Sequence, residues 1–128
     1  MKTKNDALSQ QVDGSHYKGC KLQPMELAYK LGESPAFLKV AKYLIRDKGD
    51  KIINLKKAIH IAQIDEQLNG AKVYKASKPK IKATELLKLL SDFSKDVRVQ
   101  DALFAMYFYH YEVVIRDVEQ IIKDSSQA

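Results

Sequence analysis

The residues best suited to chemistry are the cations in the first half of the chain. Between residues 36 and 57 the sequence has seven basic side chains and two acidic ones. Lys39, Lys42 and Arg46 are spaced i, i+3 and i+7, which places them on one side of a helix. Such a group can bind a phosphate, because the ammonium groups neutralise its charge and the guanidinium of Arg46 can bond two of its oxygens. The alternative is a solvated helix face that is rich in lysine.

The turn after this helix strengthens the prediction of a phosphate site. Gly49 is predicted to end the helix, and Asp50 is predicted to cap the next one. The first turn of that next helix offers backbone N–H groups and the positive end of the helix dipole, both of which attract anions. The predicted phosphate ligands on and around the turn are Lys42, Arg46, Lys48 and Lys51.

A short motif near the N-terminus, Gly14-Ser15-His16-Tyr17, is the second candidate. A histidine in a loop can donate to an anion or act as a general acid–base near neutral pH, so His16 is the candidate catalytic residue. Ser15 is a candidate ligand contact, and the ring of Tyr17 or Tyr43 is suited to stacking on a base. If the motif folds over a ligand, His16 lies near the basic cluster; alternatively, Tyr17 only fastens this segment to the helices.

The sequence excludes several classes of site. It contains no phosphate-binding P-loop, no Gly-x-Gly-x-x-Gly dinucleotide motif and no Gly-x-Ser-x-Gly nucleophile elbow. Cys20 is the only cysteine, no two histidines are spaced i, i+4, and the glutamates are scattered with no Glu-x-x-Glu. We therefore expect neither a metal site nor a cofactor.

These residues must be positioned by helices, because apolar residues recur three or four positions apart along most of the chain. Helices are predicted over 24–31, from Ser34-Pro35 to Gly49, from Asp50 to Asn69-Gly70, over 83–93, and over 97–123. The last of these has an aromatic middle, and a strand is the alternative there because aromatic and β-branched residues favour strands. The polar segment 1–23 is predicted to be an extended arm, and 71–82, with five lysines and no acidic residue, a solvated connector.

The predicted fold class is therefore all-α: a small helical bundle with an N-terminal extended arm and a long C-terminal helix. With 128 residues the chain is expected to form a single helical domain, in which residues 83–124 make a C-terminal helical pair. Phe104, Phe108 and Tyr111 widen the apolar surface of the last helix beyond one stripe, which predicts a homo-oligomer. No apolar run approaches the roughly 18 residues of a membrane span, and no signal peptide precedes the helices, so we expect a cytoplasmic protein without a membrane partner.

Four short motifs occur in a fixed order over residues 11–68. They are Gln11-Val12-Asp13-Gly14-Ser15-His16-Tyr17-Lys18, Gln23-Pro24-Met25-Glu26, Lys42-Tyr43-Leu44-Ile45-Arg46 with Lys48-Gly49-Asp50, and Leu55-Lys56-Lys57-Ala58 with His60. In this combination the chain resembles a small domain family encoded mainly by bacteriophages, one characterised member of which is a nucleotide kinase without a P-loop. The resemblance implies a helical fold, an origin in a phage or prophage, the cytoplasm of an infected bacterium as the location, and nucleotide chemistry.

Three functions remain open from the sequence. The first is nucleotide binding, with (deoxy)nucleoside monophosphate kinase activity as its catalytic form, since phosphoryl transfer depends mainly on positioning and on neutralising charge. The second is a non-catalytic phage module that binds a phosphorylated ligand or a host protein, for example to counter host defences. The third is a nucleic-acid-binding accessory protein that uses residues 72–82 as a strip for phosphates, although the acidic last helix disfavours coating of DNA.

Overall fold

The computed structural model describes residues 22–75 and 78–126, and it confirms the all-α prediction for these residues. Seven helices lie in the described ranges: α1 (Pro24–Leu31), α2 (Pro35–Ile45), α3 (Lys51–Gln67), α4 (Gly70–Tyr74), α5 (Ala83–Phe93), α6 (Val97–Tyr107) and α7 (Tyr111–Ser126). Residues 1–21 of the predicted arm, with Ser15, His16 and Tyr17, lie outside the described residues. None of the described helices is long and apolar enough to cross a membrane.

Local capping chemistry explains the boundary between the first two helices. Gly32 follows α1 in the left-handed conformation (φ 62°), and the adjacent N–H groups bond back to the last turn in a Schellman motif. Ser34 caps α2, because its hydroxyl accepts a hydrogen bond from the N–H of Phe37 at 3.2 Å. Pro35 follows at the first helical position, where proline costs no hydrogen bond because an N–H there would have no acceptor within the helix. The predicted end of α1 and start of α2 are therefore confirmed.

The end of α2 differs from the prediction. The helix stops at Ile45 rather than at Gly49, and the backbone of Arg46 is extended (φ −64°, ψ 127°). The buried amide of Asn54 donates to the carbonyl of Lys48 at 3.0 Å, which holds the intervening turn against α3. Because this bond comes from a side chain in the next helix, the pattern of α2 alone does not reveal it.

The helices α2 and α3 form an antiparallel pair. Asp50 caps α3 as predicted and accepts a hydrogen bond from the N–H of Ile53 at 3.0 Å. Pro35, at the start of α2, lines a groove with Leu68, just beyond the end of α3, and the two helices pack closely along their lengths. They therefore run in opposite directions. The end of α3 is close to the predicted stop at Asn69-Gly70.

The prediction of one helix over residues 97–123 is wrong. The chain forms α6 and α7 instead, and these pack against each other across a turn at residues 108–110. Tyr109 in this turn has a left-handed backbone (φ 61°). Its N–H donates to the carbonyl of Met106 at 3.0 Å and the next N–H donates to the carbonyl of Ala105 at 2.9 Å, so a tyrosine completes a Schellman motif that is usually built on glycine. The long C-terminal helix of the predicted fold is α7, and the predicted helical pair is a set of three helices.

The prediction of a solvated connector over residues 71–82 is wrong in part. Its first residues belong to α4, which begins at Gly70, a position where a side chain would clash with the carboxylate of Asp65. Pro79 lies against Gly32, and the side chain of Lys78 is only 8% exposed. The exposed lysines of the described connector are Lys72, Lys75, Lys80 and Lys82.

One hydrophobic cluster runs through the described helices, with contributions from all of them except α4. The helices α2 and α7 each pack on both α3 and α6, and α5 packs on α1 and α6. Of the three rings behind the oligomer prediction, Tyr111 is buried, Phe104 is half-buried, and only Phe108 is exposed. The turn between α6 and α7 thus removes part of the reason for expecting a homo-oligomer, which stays a prediction.

Candidate functional site

Tyr43 lies at the centre of the predicted basic cluster. Its half-buried ring packs against the hydrophobic core, which restricts its position. The Nζ atom of Lys42 lies 5.4 Å from the ring centroid, and the Nζ atom of Lys57 lies 5.6 Å from it. Both distances are within the range of cation–π attraction, which extends to about 6 Å. We call Tyr43, Lys42 and Lys57 the Tyr43 platform.

The antiparallel packing of α2 and α3 creates this platform. Tyr43 lies near the C-terminal end of α2, and Lys57 lies in the second turn of α3, so helices that run in opposite directions bring the two residues level. Sequence reasoning missed Lys57 as a site residue, because its distance from Tyr43 depends on how the two helices pair. The Leu55-Lys56-Lys57-Ala58 motif carried the sequence signal for it.

Arg46 is the C-cap residue of α2 and is half-buried. Its φ of −64° is still helical and only its ψ is extended, so its Cα continues the line that begins at Lys42. Neither of these side chains forms a salt bridge with a carboxylate in the described part of the chain. The C-terminal end of a helix attracts cations through its dipole, which gives both residues a structural role besides any ligand.

The N-terminus of α3 is less open to an anion than the sequence predicts. The carboxylate of Asp50 already accepts a hydrogen bond from one of its first N–H groups, and it brings a negative charge to the positive end of the dipole. Lys48 and Lys51 are exposed beside this turn. The pKa of Asp96 is lowered chiefly by a side-chain hydrogen bond from Arg98, and the charge of Lys51 lowers it further.

Comparison with known proteins adds no information about this site. No family model, curated protein or solved structure matches this chain. The resemblance to the phage family stays a prediction, and so do the roles of Ser15, His16 and Tyr17, which the structure does not describe. Across the described ranges, no group of His, Cys, Asp and Glu side chains is arranged to hold a metal ion.

A second charged group lies where the connector meets the turn between α6 and α7. The Nζ atom of Lys78 lies 2.6 Å from a carboxylate oxygen of Glu33, and the two side chains are only 8% and 1% exposed. The same ammonium donates to the carbonyl of Tyr107, and it lies 3.9 Å from the ring centroid of Tyr107 and 4.2 Å from that of Tyr109. Burial raises the pKa of Glu33 and lowers the pKa of Lys78, and the ion pair opposes both shifts.

A cavity of about 610 Å³ lies beside this buried pair, and we call it the aromatic pocket. Its volume is typical of small-ligand sites, which measure roughly 300–1,000 Å³. Phe108 in its wall is 44% exposed, and Lys75 and Lys80 add two exposed cations. The sequence shows the aromatic run and the lysines separately. Their meeting depends on the turn at residues 108–110, which the helical pattern does not predict.

Tyr111 joins the start of α7 to the end of α3. Its hydroxyl donates to a carboxylate oxygen of Asp65 at 2.7 Å, and both residues are buried. Burial raises the pKa of Tyr111, and the hydrogen bond to the Asp65 carboxylate raises it further. This bond fastens α7 to α3 directly after the turn that shapes the aromatic pocket.

Proposed function

We propose that this protein binds a nucleotide, or another phosphorylated small molecule, at the Tyr43 platform. The observation that carries the proposal is the convergence of two lysine ammonium groups, from different helices, on one tyrosine ring. A tyrosine ring can stack on a nucleobase, and ammonium groups close to the ring can neutralise a phosphate. Because the ring packs against the core, it is held in place before a ligand arrives, which reduces the entropy lost on binding.

The unneutralised charge around the platform also supports an anionic ligand. Lys42, Lys57 and Arg46 form no salt bridge with any carboxylate in the ranges that the structure describes. The chain as a whole has a net charge of +6 at pH 7. Cations left unpaired on one side of a protein raise the local concentration of anions and speed their association. A purely structural role for Lys42 and Arg46 at the end of α2 is the alternative, but it does not account for Lys57.

The resemblance to phage proteins favours a nucleotide among phosphorylated ligands. Phosphoryl transfer to a (deoxy)nucleoside monophosphate is the catalytic form of the proposal, with His16 relaying a proton and the platform cations neutralising charge. A non-catalytic phage module that binds a phosphorylated ligand or a host protein is the alternative form. Incubation of the protein with ATP and a panel of mononucleotides separates the catalytic form from the non-catalytic form, because only a kinase converts the mononucleotide to the corresponding nucleoside diphosphate.

The decisive experiment compares two neighbouring lysines on α3. Isothermal titration with mononucleotides is carried out on Lys57→Ala and on Lys56→Ala. The two substitutions remove the same charge from the same helix, but only Lys57 contacts Tyr43. We expect Lys57→Ala to weaken binding about tenfold or more, since a hydrogen bond to a charged group contributes about 1.5–3 kcal/mol.

The control variant, Lys56→Ala, is expected to change affinity by about twofold at most, as for a distant surface charge. Equal losses in the two variants would mean that the cations act only through the general field of the protein. That result would contradict a site at the platform. Circular dichroism and the melting temperature of each variant confirm that the fold is kept.

A further inference from the structure

We propose that the aromatic pocket, together with the exposed lysines of the connector, binds single-stranded nucleic acid. This site is separate from the Tyr43 platform and involves none of its residues. Proteins that bind single strands combine aromatic rings, on which bases stack, with cations that follow the phosphate backbone. Both components meet at this pocket.

The ring of Phe108 is the candidate stacking surface. It is 44% exposed, although the rings around it are packed: the centroids of Phe104 and Tyr107 each lie 5.0 Å from its own, and that of His110 lies 6.2 Å away. Neighbouring rings on several sides restrict its movement, so little side-chain entropy remains to be lost when a base stacks on it. A large exposed ring that is already held in place is suited to binding an unpaired base.

The lysines extend beyond the pocket, which favours a strand over a single nucleotide. Lys75 and Lys80 line the pocket, while Lys72 on α4 and Lys82 just before α5 lie outside its wall. All four are exposed, and the sequence from residue 71 to residue 82 contains no acidic residue. One nucleotide would leave the lysines outside the wall unused, whereas successive phosphates of a strand can contact several lysines.

The buried ion pair gives the pocket a fixed wall. Lys78 lies in that wall but forms an ion pair with Glu33, so its charge is already neutralised. We therefore do not count it among the contacts with the nucleic acid. Tyr109 turns the chain directly after Phe108 in a left-handed conformation that non-glycine residues rarely adopt. Backbone strain of this kind is concentrated at binding and active sites, where the surrounding contacts maintain it. The backbone hydrogen bonds of the Schellman motif hold Tyr109 in this conformation, and its ring also contacts the Lys78 ammonium.

A duplex fits this arrangement poorly. Its bases are paired and stacked inside the helix, so none is free to enter a pocket against Phe108. Moreover, the described stretch from residue 99 onwards carries five acidic and only two basic side chains, so the positive surface does not extend to α7. The proposal is therefore limited to unpaired DNA or RNA.

The test measures fluorescence anisotropy of a labelled oligothymidylate of about 12 nucleotides, a length in the range that single-strand-binding folds cover. We expect Phe108→Ala to weaken binding by about tenfold or more, because stacking contributes most of the base contact. Leu87→Ala is the matched control, since Leu87 is 51% exposed on α5 and is not part of the pocket wall. It is expected to change affinity by about twofold at most.

A salt titration tests the phosphate contacts. Each phosphate neutralised on a single strand adds about 0.7 to the slope of log K against log salt, so the double variant Lys75→Ala/Lys80→Ala should lose about 1.4 from that slope. The double variant Lys30→Ala/Lys123→Ala removes two exposed lysines from other helices and should keep the full slope. An equal loss of slope in the two double variants would mean that the binding is due only to general electrostatic attraction, which would contradict the proposed site.

Three further results would overturn the proposal: no binding of the oligonucleotide, equal binding of the matching duplex, or displacement of the strand by a mononucleotide at an equal concentration of bases. The last result would assign the pocket to free nucleotides. Lys57→Ala should leave the affinity for the strand within about twofold of the wild type, since it removes only one distant charge. The failure of the strand site and the failure of the Tyr43 platform are therefore distinguishable.

Discussion

The buried contact between Lys78 and Glu33 allows a quantitative prediction of stability. Replacing Lys78 by Ala leaves the Glu33 carboxylate, which is only 1% exposed, without its main partner. Removing one member of a buried ion pair costs about 3–5 kcal/mol, because the remaining charge is desolvated and uncompensated. This is a large part of the roughly 5–15 kcal/mol that stabilises a typical domain. At about 4 °C per kcal/mol for a chain of this size, the melting temperature should fall by about 10–20 °C.

The assay is urea denaturation followed by circular dichroism, with Lys80→Ala as the control. Lys80 is exposed two residues away, and its loss should change the free energy of unfolding by about 0.5 kcal/mol at most. The double variant Glu33→Leu/Lys78→Met removes both charges and should recover most of the loss, because an apolar pair needs no compensation for desolvation. A loss below about 1 kcal/mol in Lys78→Ala would refute the reasoning, since an uncompensated buried carboxylate costs more than that.

The pH dependence of the stability of Lys78→Ala shows whether its deficit comes from the uncompensated Glu33 charge or from lost packing. Burial raises the pKa of Glu33 above its ordinary value, and Lys78 opposes that shift, so Lys78→Ala should raise the pKa further. A folded-state pKa above the unfolded one means that the native state takes up its proton first as the pH falls. The stability of Lys78→Ala, relative to the wild type, should therefore rise as the pH is lowered from 7 towards the ordinary glutamate value of about 4.3. A deficit that does not change with pH would instead indicate lost packing.

Two further substitutions test other parts of the structure. Tyr111→Phe should lower the free energy of unfolding by about 1–3 kcal/mol in urea denaturation, because buried Asp65 loses the hydroxyl that donates to it; an unchanged midpoint would mean that the carboxylate finds another donor. Arg46→Ala should abolish binding of a phosphorylated ligand, with a loss of at least ~30-fold in titration calorimetry, while leaving the fold intact and costing at most the roughly 0.3–1 kcal/mol that a cation at the end of a helix dipole contributes to stability. Unchanged affinity would contradict a role for Arg46 in the phosphate site, and a melting temperature lowered by more than about 4 °C would indicate a mainly structural role.

The sequence predicts those boundaries that depend on residues close together in the chain. The hydroxyl of Ser34 bonds an N–H three residues away, and Asp50 does the same at the start of α3. Gly32 needs only its own lack of a side chain to adopt the left-handed conformation that ends α1. Each of these interactions is complete within one helical turn, so residue type and spacing are enough to predict it.

The features that sequence reasoning missed depend on contacts between distant parts of the chain. The sequence predicts a solvated connector around Lys78 because residues 71–82 contain five lysines and no acidic residue, whereas its partner Glu33 precedes α2. Tyr109 has no intrinsic preference for the left-handed conformation, and its ring contacts the same Lys78 ammonium. Lys57 belongs to the candidate site only because α3 packs antiparallel to α2. In each case the decisive partner lies on another element, which periodicity and capping signals do not specify.

The residues that depart from local structural preferences lie close to one another in the structure. Their common location supports the proposal of a binding site at the aromatic pocket, independently of its charge. A left-handed tyrosine, a buried lysine and a buried glutamate all lie at or beside its wall. Natural sequences mostly agree with local preferences, and they depart from them chiefly where function requires a particular geometry. Segments that served only to connect helices would reach greater stability with an exposed lysine between α4 and α5 and a glycine at the turn between α6 and α7. Lys78 instead contacts Glu33 and both tyrosine rings on either side of Phe108, whose ring is exposed, as the proposed stacking of a base requires.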